Sequence, residues 1–466
     1  MFTIDFKKTL DNAHPLHIHF IGIGGISMSG FAELLHSMGF EISGSDRTKS
    51  PITEHLESLG MNIAYSQVAE NITDDIDVVV YTAAIHPDNP EYAECVRRSI
   101  PMMERAEMVG QVMKNYQTAV AIAGTHGKTT TTSIASHIFL SAGLDPTISV
   151  GGILPVIGGN IRIGHSPNFI TEACEYTNSF LKFFPTIGII LNIEEDHMDF
   201  FKDIDDIRSS FRRFAELIPE DGTLIISADI DRYDELVKGL KCKVMTFSAT
   251  NPDADYSATN ITYDEKGNAS FTAITHGDKK GPFSLQVPGL HNVGNSLACL
   301  CLADTMGISD DIVAHALRDF KGTERRFEYK GQTHGFTIID DYAHHPTEIK
   351  ATLESAKRYP HKKLWVAFQP HTYTRTKAFL QDFADALSQA DHVILADIYA
   401  AREKDPGDIS SKDIADLIVA GGGEATYLGG FEEIKKFILK NLLAGDLLIT
   451  MGAGNIVEIG EDLLAQ

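Results

Sequence analysis

Residues 121–132, AIAGTHGKTTTT, join an apolar strand to a glycine loop and then to a helical pattern. Glycine lets backbone N–H groups approach phosphate oxygens, and the amino terminus of the following helix adds partial positive charge. Lys128 can reach the β- and γ-phosphates of ATP, and the Thr129 hydroxyl can ligate Mg²⁺. The stretch therefore predicts an ATP-binding phosphate loop. Its nucleotide contacts are expected from Gly124, Thr125, His126, Gly127, Lys128, Thr129 and Thr130.

The loop departs from the usual phosphate-loop pattern, because Ile122 stands where the first glycine of GxxxxGK[ST] would be. The alternative interpretation is a plain tight turn before a helix. Such a turn does not need a lysine and a threonine directly after its glycine, so the pattern favours phosphate binding.

Outward from this loop, the chain reads as three α/β stretches. Its 466 residues exceed one hydrophobic core and suggest about three domains. We expect a Rossmann-like domain at 1–116, a central phosphate-loop ATPase domain at 117–325 and a second Rossmann-like domain at 326–466. The strands are expected at 17–21, 40–44, 76–81, 118–123, 187–191, 224–227, 336–339, 364–368, 392–396 and 447–451, and helices at 130–140, 348–358 and 377–389.

Composition excludes several classes of protein. Forty basic against 64 acidic side chains give a net charge of −24, which argues against binding to nucleic acid or to an anionic membrane. No apolar run approaches the roughly 20 residues that span a bilayer, and residues 1–20 lack the pattern of a secretory signal. Five scattered cysteines fit a reducing compartment and are expected to be buried and unreactive. These features predict a cytoplasmic protein.

A second glycine loop lies near the amino terminus. Residues 22–27, GIGGIS, follow a strand and precede a helical pattern, and Asp46 lies a little over 20 residues beyond. This arrangement is typical of nucleotide diphosphate or dinucleotide binding at a helix amino terminus. Ser27 occupies the third glycine position of the dinucleotide fingerprint, which disfavours NAD.

Acidic and imidazole groups occur in two stretches of the central domain that each follow an apolar strand. They lie in 172–175, EACE, and in 192–199, NIEEDHMD. Carboxylate oxygens and a neutral imidazole at strand ends can hold divalent ions that bridge ATP and a second substrate. The alternative is a set of solvated acidic turns that cap the next helices, and His197 is the residue that this alternative explains least.

Six motifs taken together give the chain a resemblance to the Mur ligase family. They are GTHGKTTT (124–131), NIEEDHMDF (192–200), HNVGN (291–295), RRF (325–327), DDYAHHPTE (340–348) and FQPHTYTR (368–375). They occur in the family's order and span nearly the whole chain. The last of them most resembles the family members that attach L-alanine to UDP-N-acetylmuramic acid.

The resemblance implies a role for residues in each of the three domains. In the first domain, the UDP-sugar would contact Gly22, Gly24, Gly25, Asp46, Thr82 and Arg105. In the central domain, Thr129, Glu172 and His197 would hold the metal, and His291, Asn292, Asn295 and Arg326 would surround the nucleotide. In the third domain, Tyr342, His344, His371 and Arg375 would contact the amino acid. Lys128, His197, His344 and Arg375 would act in catalysis.

The resemblance also implies the reaction. The lactyl carboxylate would attack the γ-phosphate of ATP, and the amine of alanine would then displace phosphate from the acyl phosphate. Two alternatives stay open: a sister ligase that attaches a preformed peptide to the same sugar, and a non-catalytic nucleotide-binding regulator. A monomer or weak homodimer is expected.

Some positions depart from the family's pattern. Thr372 replaces a second arginine, Asn455 replaces an aspartate, and CEYTN (174–178) replaces an aspartate-rich stretch. No motif assigns the carbamylated lysine that other members carry.

Overall fold

A computed structural model describes residues 15–82, 84–401 and 403–465 of the chain. Its strands form three sheets of five, ten and six strands, in that order along the chain. Helices accompany each sheet, which confirms the predicted α/β class and three-part organisation. The expectation about a secretory signal concerns mainly residues 1–14, which lie outside the described residues.

The first sheet is parallel throughout. The elements of this domain are β1 (His17–Ile21), α1 (Ile26–Ser37), β2 (Glu41–Ser45), α2 (Pro51–Ser58), β3 (Asn62–Ala64), β4 (Val78–Tyr81), α3 (Pro90–Arg98), β5 (Met102–Glu104) and α4 (Arg105–Met113). The strand order β3-β2-β1-β4-β5 is Rossmann-like, and it reverses between β1 and β4. Ligands of such sheets bind at the carboxyl ends of the two strands that flank the reversal.

The central sheet has the order β15-β14-β13-β12-β11-β10-β6-β9-β7-β8. The elements are β6 (Thr118–Ala123), α5 (Lys128–Ser141), β7 (Thr147–Leu154), β8 (Gly159–Arg162), β9 (Asn168–Ala173), β10 (Ile187–Ile190), α6 (Ile204–Ala215), β11 (Thr223–Ser227), α7 (Tyr233–Val237), β12 (Lys243–Ser248), β13 (Tyr256–Tyr263), β14 (Asn268–Thr275), β15 (Asp278–Pro288), α8 (Leu290–Thr305) and α9 (Asp310–Asp319). The phosphate loop follows β6, which lies between β9 and β10. The carboxyl ends of these three parallel strands therefore meet at one edge.

The third sheet has the order β16-β17-β21-β18-β19-β20, and only β16 runs antiparallel to its neighbour. The elements are β16 (Glu328–Thr333), β17 (Phe336–Asp341), α10 (Pro346–Ala356), β18 (Leu364–Phe368), α11 (Tyr373–Ala378), α12 (Leu380–Leu387), β19 (His392–Ala396), α13 (Ser411–Ala420), β20 (Ala425–Gly429), α14 (Phe431–Asn441), β21 (Leu447–Met451) and α15 (Val457–Leu464). The loops after β17 and β18 carry Tyr342, His344 and His371, and α11 carries Arg375.

The two faces of β6 belong to two different apolar cores. Its odd-numbered residues Ala119, Ala121 and Ala123 belong to a core that continues into the first domain, whereas Val120 and Ile122 belong to a core under α5 and α8. A parallel strand covered on both faces needs apolar side chains on both, and β6 has them from Ala119 to Ala123. The third domain has its own cores on the two faces of its sheet. Among the described residues, the first two domains thus share one apolar core, and the cores of the third are separate from it.

The prediction of one helix over 377–389 is wrong. The segment forms α11 and α12, and the backbone leaves helical geometry at Phe379 (φ −113°, ψ 27°). The ring of Phe379 packs against the His345 ring with centroids 5.0 Å apart. The break therefore accompanies a tertiary contact, which periodicity along one segment does not reveal.

A histidine side chain caps the helix that begins within the DDYAHHPTE motif. The helix begins at Pro346, and the His345 side chain accepts from the Thr347 N–H at 3.3 Å. The Thr347 hydroxyl is consequently available for a contact with another domain. Among the described residues, no helix is long and apolar enough to cross a membrane.

Candidate active site

The phosphate loop is held open by backbone geometry and by Asn192. Gly124 (φ +150°) and Gly127 (φ +81°) adopt conformations that favour glycine, and α5 begins directly afterwards at Lys128. The Asn192 carboxamide accepts from the His126 N–H at 2.7 Å and donates to the His126 carbonyl at 3.0 Å. A Cβ on Gly124 would lie 3.0 Å from the Leu191 Cβ. The loop is thus a fixed backbone concavity at a helix amino terminus, as anion binding requires.

Lys128 is buried at this loop beside a carboxylate. Its Nζ donates to Glu175 Oε2 at 2.9 Å and also to the carbonyl oxygens of Gly124 and Thr125. Burial disfavours the charged amine, but the negative charge of Glu175 outweighs burial and raises the pKa of Lys128. The lysine is therefore a cation whose donors are already engaged.

The three predicted metal-binding residues line one cavity of about 550 Å³ together with Lys128. Glu172 accepts from the Gly151 N–H at 2.5 Å. His197 has a positive φ of 53°, which is uncommon for residues other than glycine, and its ring lies 4.5 Å from that of Tyr176. Burial lowers the pKa of His197, which favours the neutral imidazole that a metal ion requires. With the Thr129 hydroxyl, the cavity offers two oxygen ligands and one nitrogen ligand.

The predicted nucleotide residues surround a neighbouring cavity of about 230 Å³. His126, Gly127, Thr130, His291, Asn292, Asn295 and Arg326 all line it. Asn295 donates to Asn292 Oδ1 at 3.0 Å, and Asn292 donates to the Pro288 carbonyl at 2.7 Å. Burial lowers the pKa of His291 to about 4, so this imidazole is neutral near pH 7. The cavity continues the phosphate loop between the central and third domains.

The predicted amino-acid residues divide between two adjoining cavities. His371 and Arg375 line one of about 250 Å³, whereas Tyr342 and His344 line the cavity of the metal residues. The rings of His344 and His371 connect the two, with centroids 5.8 Å apart. Burial lowers the pKa of His344 to about 3. The ring is neutral, and its Nδ1 lies 3.0 Å from the Tyr342 carbonyl oxygen.

Arg375 reaches across the domain boundary. Its Nη2 and Nε donate to Asp196 Oδ1 at 2.8 and 3.3 Å, and its Nη1 lies 3.2 Å from His371 Nδ1. Burial disfavours the Asp196 carboxylate, but the Arg375 charge outweighs burial and holds the pKa of Asp196 below its usual range. The guanidinium that is predicted to bind the amino acid is thus anchored to the central domain.

The residues predicted for the UDP-sugar lie at the carboxyl edge of the first sheet. Gly22 (φ +82°) follows β1, and Asp46 Oδ2 accepts from the Gly24 N–H at 2.8 Å. A Cβ on Gly24 would lie 2.8 Å from that same oxygen, whereas Gly25 is less confined. Thr82 follows β4, so the set flanks the reversal of strand order.

The Ser27 departure has a structural role. The Arg105 guanidinium donates to the Ser27 hydroxyl at 3.0 Å. A glycine at this position would leave that donor without the hydroxyl. The structure therefore brings Arg105 to the start of α1, beside the glycine loop.

Four carboxylates in or near the site were not among the predicted residues. Glu175 pairs with Lys128, Asp196 with Arg375, and both Glu194 and Glu348 with His126. All four pairs need a fold to become visible, because 47 to 222 residues separate the partners. All four stand inside stretches quoted above, which is the one signal that the sequence offers for them. The interpretation of 194–199 as solvated acidic caps does not describe these contacts.

Cys174 differs from the other cysteines in its exposure to solvent. The other four, Cys95, Cys242, Cys299 and Cys301, are buried as expected, whereas Cys174 is partly exposed in the cavity of the metal residues. Burial raises the pKa of the Cys174 thiol to about 11. The thiol is thus protonated near pH 7 and a poor nucleophile.

Family profiles match most of the chain. The profile described as "Mur ligase family, catalytic domain" matches residues 17–117, "Mur ligase middle domain" matches 122–303, and "Mur ligase, glutamate ligase domain" matches 325–454. The three segments coincide with the three sheets.

Curated relatives are similar over their whole length. The chain is 58% identical to a UDP-N-acetylmuramate–L-alanine ligase of Agathobacter rectalis and 56% identical to one of Lachnospira eligens, in each case covering 100% of both chains.

Solved structures with similar folds include two ligases. A UDP-N-acetylmuramate-alanine ligase from Thermotoga maritima has a TM-score of 0.80 at 29% identity, covering 97% of this chain and 98% of that one. A murein peptide ligase from Psychrobacter arcticus has a TM-score of 0.71 at 25% identity, with the same coverage.

Proposed function

The chain belongs to the Mur ligase family, and we propose on this basis that it joins L-alanine to the lactyl carboxylate of UDP-N-acetylmuramic acid at the expense of ATP. The observation that carries this proposal is the 58% identity, over the full length of both chains, to a relative named for that reaction. We also propose the domain bounds 1–116, 117–325 and 326–466, and a cytoplasmic location, where ATP is supplied.

ATP fits the phosphate loop and the adjoining cavity. The loop directs backbone N–H groups and the start of a 14-residue helix at one point, and Lys128 supplies the charge beside it. We propose that Gly124 to Thr130 hold the phosphates, and that His291, Asn292, Asn295 and Arg326 hold the nucleoside end. When phosphate enters, the Lys128 amine would exchange its carbonyl contacts for phosphate oxygens. Glu175 would continue to orient it.

Mg²⁺ fits the set Thr129, Glu172 and His197. Two oxygen donors and a neutral imidazole share the cavity with Lys128, and Glu172 is fixed by the Gly151 N–H. When bound, the ion supplies positive charge to the phosphate oxygens. The Tyr176 ring packs against the His197 ring at a tilt of 33° and thereby restrains the imidazole of a residue whose φ is positive.

The proposed chemistry has two steps. The lactyl carboxylate attacks the γ-phosphate to form an acyl phosphate and ADP, and the alanine amine then displaces phosphate to form the amide. Negative charge grows on oxygen in both steps, so fixed positive charge is the main requirement and no protein nucleophile is needed. Lys128 meets this requirement on the side of the phosphates.

Arg375 and His344 are proposed to orient the amino acid. Two of the Arg375 nitrogens donate to Asp196, which holds the guanidinium plane, and the remaining N–H groups can donate to the alanine carboxylate. His344 Nδ1 faces the Tyr342 carbonyl and so donates its proton there, which leaves a lone pair on Nε2. With a pKa of about 3, this nitrogen orients the amine as a hydrogen-bond acceptor and is too weak a base to store its proton.

The sugar would reach the reaction centre from the first domain. Gly22, Gly24 and Gly25 direct backbone N–H groups at the diphosphate, with Asp46, Thr82 and Arg105 around it. The cavity of the metal residues also includes Ile26, at the start of α1, so it extends from the phosphate loop to the sugar-binding domain. The lactyl group would pass along this connection.

The first test is a reconstituted reaction. The purified chain is incubated with ATP, Mg²⁺ and UDP-N-acetylmuramic acid, with L-alanine or the tripeptide L-alanyl-D-glutamyl-diaminopimelate added separately, and phosphate release and product mass are measured. We expect release that depends on alanine and a product heavier by one alanyl residue. Release with the tripeptide alone would assign the sister activity of the murein peptide ligases. No substrate-dependent release would favour a nucleotide-binding regulator.

A further inference from the structure

We propose that His126, Glu194 and His345 form a second metal site, for a transition-metal ion of the Zn²⁺ class, at the boundary between the central and third domains. Occupation of this site would tie the third domain to the phosphate loop and stop turnover. The site is separate from the one proposed for Mg²⁺.

The geometry of the three side chains fits a small metal ion. One ligand atom from each residue lies within 4.8 Å of the others. His126 Nε2 lies 3.5 Å from Glu194 Oε2, close to the roughly 3.4 Å between two ligands of a tetrahedral zinc ion with bonds of about 2.0–2.1 Å. The rings of His126 and His345 have centroids 4.7 Å apart. Side-chain rotations that move the ligand atoms by about an ångström would bring all three to bonding distance of one ion.

The His126 ring directs one nitrogen at another ligand of the proposed site. His126 Nε2 is buried and makes no hydrogen bond, but it forms an ion pair with Glu194 Oε2 at 3.5 Å, whereas Nδ1 of the same ring lies 3.1 Å from Glu348 Oε1. A carboxylate on the far nitrogen of a metal-binding histidine is the usual way to fix its tautomer and strengthen its basicity. Glu348 lies beside His126 Nδ1 and can fix the tautomer of this ring.

His345 is oriented in the same manner. Its Nε2 lies 3.0 Å from the Glu195 carbonyl oxygen, which can only accept a proton, so Nε2 carries the hydrogen and Nδ1 carries the lone pair. The remaining contact of that lone pair is the Thr347 N–H at 3.3 Å, a long hydrogen bond. Both rings thus have one nitrogen fixed by an acceptor and the other available as a ligand.

The ligand chemistry separates this site from the proposed Mg²⁺ site. Two imidazoles and one carboxylate are a typical set for Zn²⁺, whereas Mg²⁺ prefers oxygen ligands and keeps much of its water. Of the three proposed ligands, only His126 lines the cavity that holds Glu172 and His197, and Glu194 and His345 do not. An excess of Mg²⁺ should therefore leave the new site unfilled.

The position of the ligands explains the expected effect on turnover. His126 belongs to the phosphate loop and Glu194 follows β10, both in the central domain, whereas His345 directly precedes α10 of the third domain. In the metal-free enzyme these domains meet through contacts such as the Thr347 hydroxyl on Glu194 at 2.7 Å. An ion bonded to both domains would replace the His126 proton and resist opening. This inhibitory consequence rests on the proposed function, whereas metal binding does not.

Binding is tested on the full-length chain without substrates. Zn²⁺ is titrated in competition with a chromogenic chelator, in a large excess of Mg²⁺. We expect one tight ion per chain. His345→Gln and Glu194→Gln should each weaken it about 100-fold or more, since even partners of ligands are worth about 10- to 100-fold in affinity. Asp75→Asn is the matched control, because His17, Glu41 and Asp75 form the other cluster with metal-binding geometry among the described residues.

Three outcomes would overturn the site: no tight Zn²⁺, Zn²⁺ displaced by Mg²⁺, or binding lost in Asp75→Asn and kept in both other variants. Circular dichroism checks that each variant is folded. If His345→Gln does not fold, Glu194→Gln still tests the site. Alanine-dependent phosphate release is then measured with and without Zn²⁺, each variant against its own metal-free rate. If Zn²⁺ inhibits the wild type but not His345→Gln, the result supports the proposal that the ion holds the central and third domains together. Tight binding without inhibition would refute this effect on turnover and still support the metal site itself.

Discussion

At the scale of single residues, the site is a set of buried cations that carboxylates already neutralise. Lys128 meets Glu175, Arg375 meets Asp196, and His126 lies between Glu194 and Glu348. An unpaired buried charge would cost several kcal/mol, so these partners let the cations exist before a substrate arrives. Substrate binding at such a site is an exchange of partners.

Lys128→Ala tests the residue on which the phosphate chemistry depends most. We expect the turnover number to fall about 100-fold or more, because fixed positive charge at the transferring phosphate contributes about that much. The measurement is alanine-dependent phosphate release at saturating substrates. Lys412→Ala is the control, since that lysine is exposed and pairs with Asp416 on the outside of α13. Turnover close to wild type in Lys128→Ala would remove the lysine from the mechanism.

The sequence predicts the cations of the site better than their partners. Lys128 and Arg375 stand in motifs whose spacing has a local meaning, namely a glycine loop before a helix and a loop after a strand. Asp196 is 179 residues from Arg375, and Glu348 is 222 residues from His126. Their roles appear only when the third domain meets the central one, and no local pattern of charge encodes that meeting.

At the scale of elements, the site is assembled from strand ends and helix starts. β6 leads into α5 with the phosphate loop between them, and β17 leads into α10 with DDYAHHPTE at the turn. Parallel strands put such turns at one edge of a sheet. The sequence predicts β6, β10 and β18 almost to the residue, because strands buried on both faces read as apolar runs, but it gives no bounds for β9, which carries Glu172. It could not predict the break at Phe379, since that residue contacts His345 in another loop.

Asp341→Asn tests the turn after β17. The buried Asp341 carboxylate accepts from the Ala343 and Phe327 N–H groups at 2.7 and 2.8 Å, and burial raises its pKa to about 6. Asparagine would set an NH₂ donor against one of these N–H groups, which costs about 1–3 kcal/mol.

We expect a lower melting temperature for Asp341→Asn by differential scanning fluorimetry at pH 8, together with weaker alanine-dependent activity. Asp382→Asn, an exposed substitution in the first turn of α12, serves as the control and should leave both unchanged. Equal melting temperatures for the two variants would show that the turn does not depend on the carboxylate.

At the scale of the whole molecule, the three domains are joined in two different ways. The first and central domains share one apolar core, and a Cβ on Gly110 of α4 would lie only 2.0 Å from the Lys182 carbonyl oxygen. The third domain meets the central one largely through charged and hydrogen-bonded side chains. Polar boundaries resemble transient interfaces, so the third domain is the part expected to open and close.

The His126 ion pairs make the closed form depend on pH. Burial would lower the pKa of His126, but Glu194 and Glu348 outweigh burial and raise it to about 9, against an ordinary value of 6.5. The contribution to stability is therefore fully present below pH 6.5 and is lost as the pH rises through about 9.

The difference in melting temperature between wild type and His126→Gln measures this contribution, because other titrating groups are common to both proteins. From pH 6 to pH 10 the difference should shrink by the equivalent of roughly 1–3 kcal/mol. The exposed His165→Gln variant should show a difference that does not change. A constant difference for His126→Gln as well would mean that its ion pairs do not hold the domains together.

The order of the three sheets along the chain has a consequence for protein synthesis. Domains generally fold as units during translation, at roughly 5–20 residues per second. The ribosome makes the glycine loop at residues 22–27 and the phosphate loop first, and the third domain with Arg375 last. For roughly 10–30 seconds the nascent chain therefore has a folded nucleotide-binding surface whose cover has not yet been translated. A chain that stops before the third sheet keeps its binding loops and lacks the residues that orient the incoming amine.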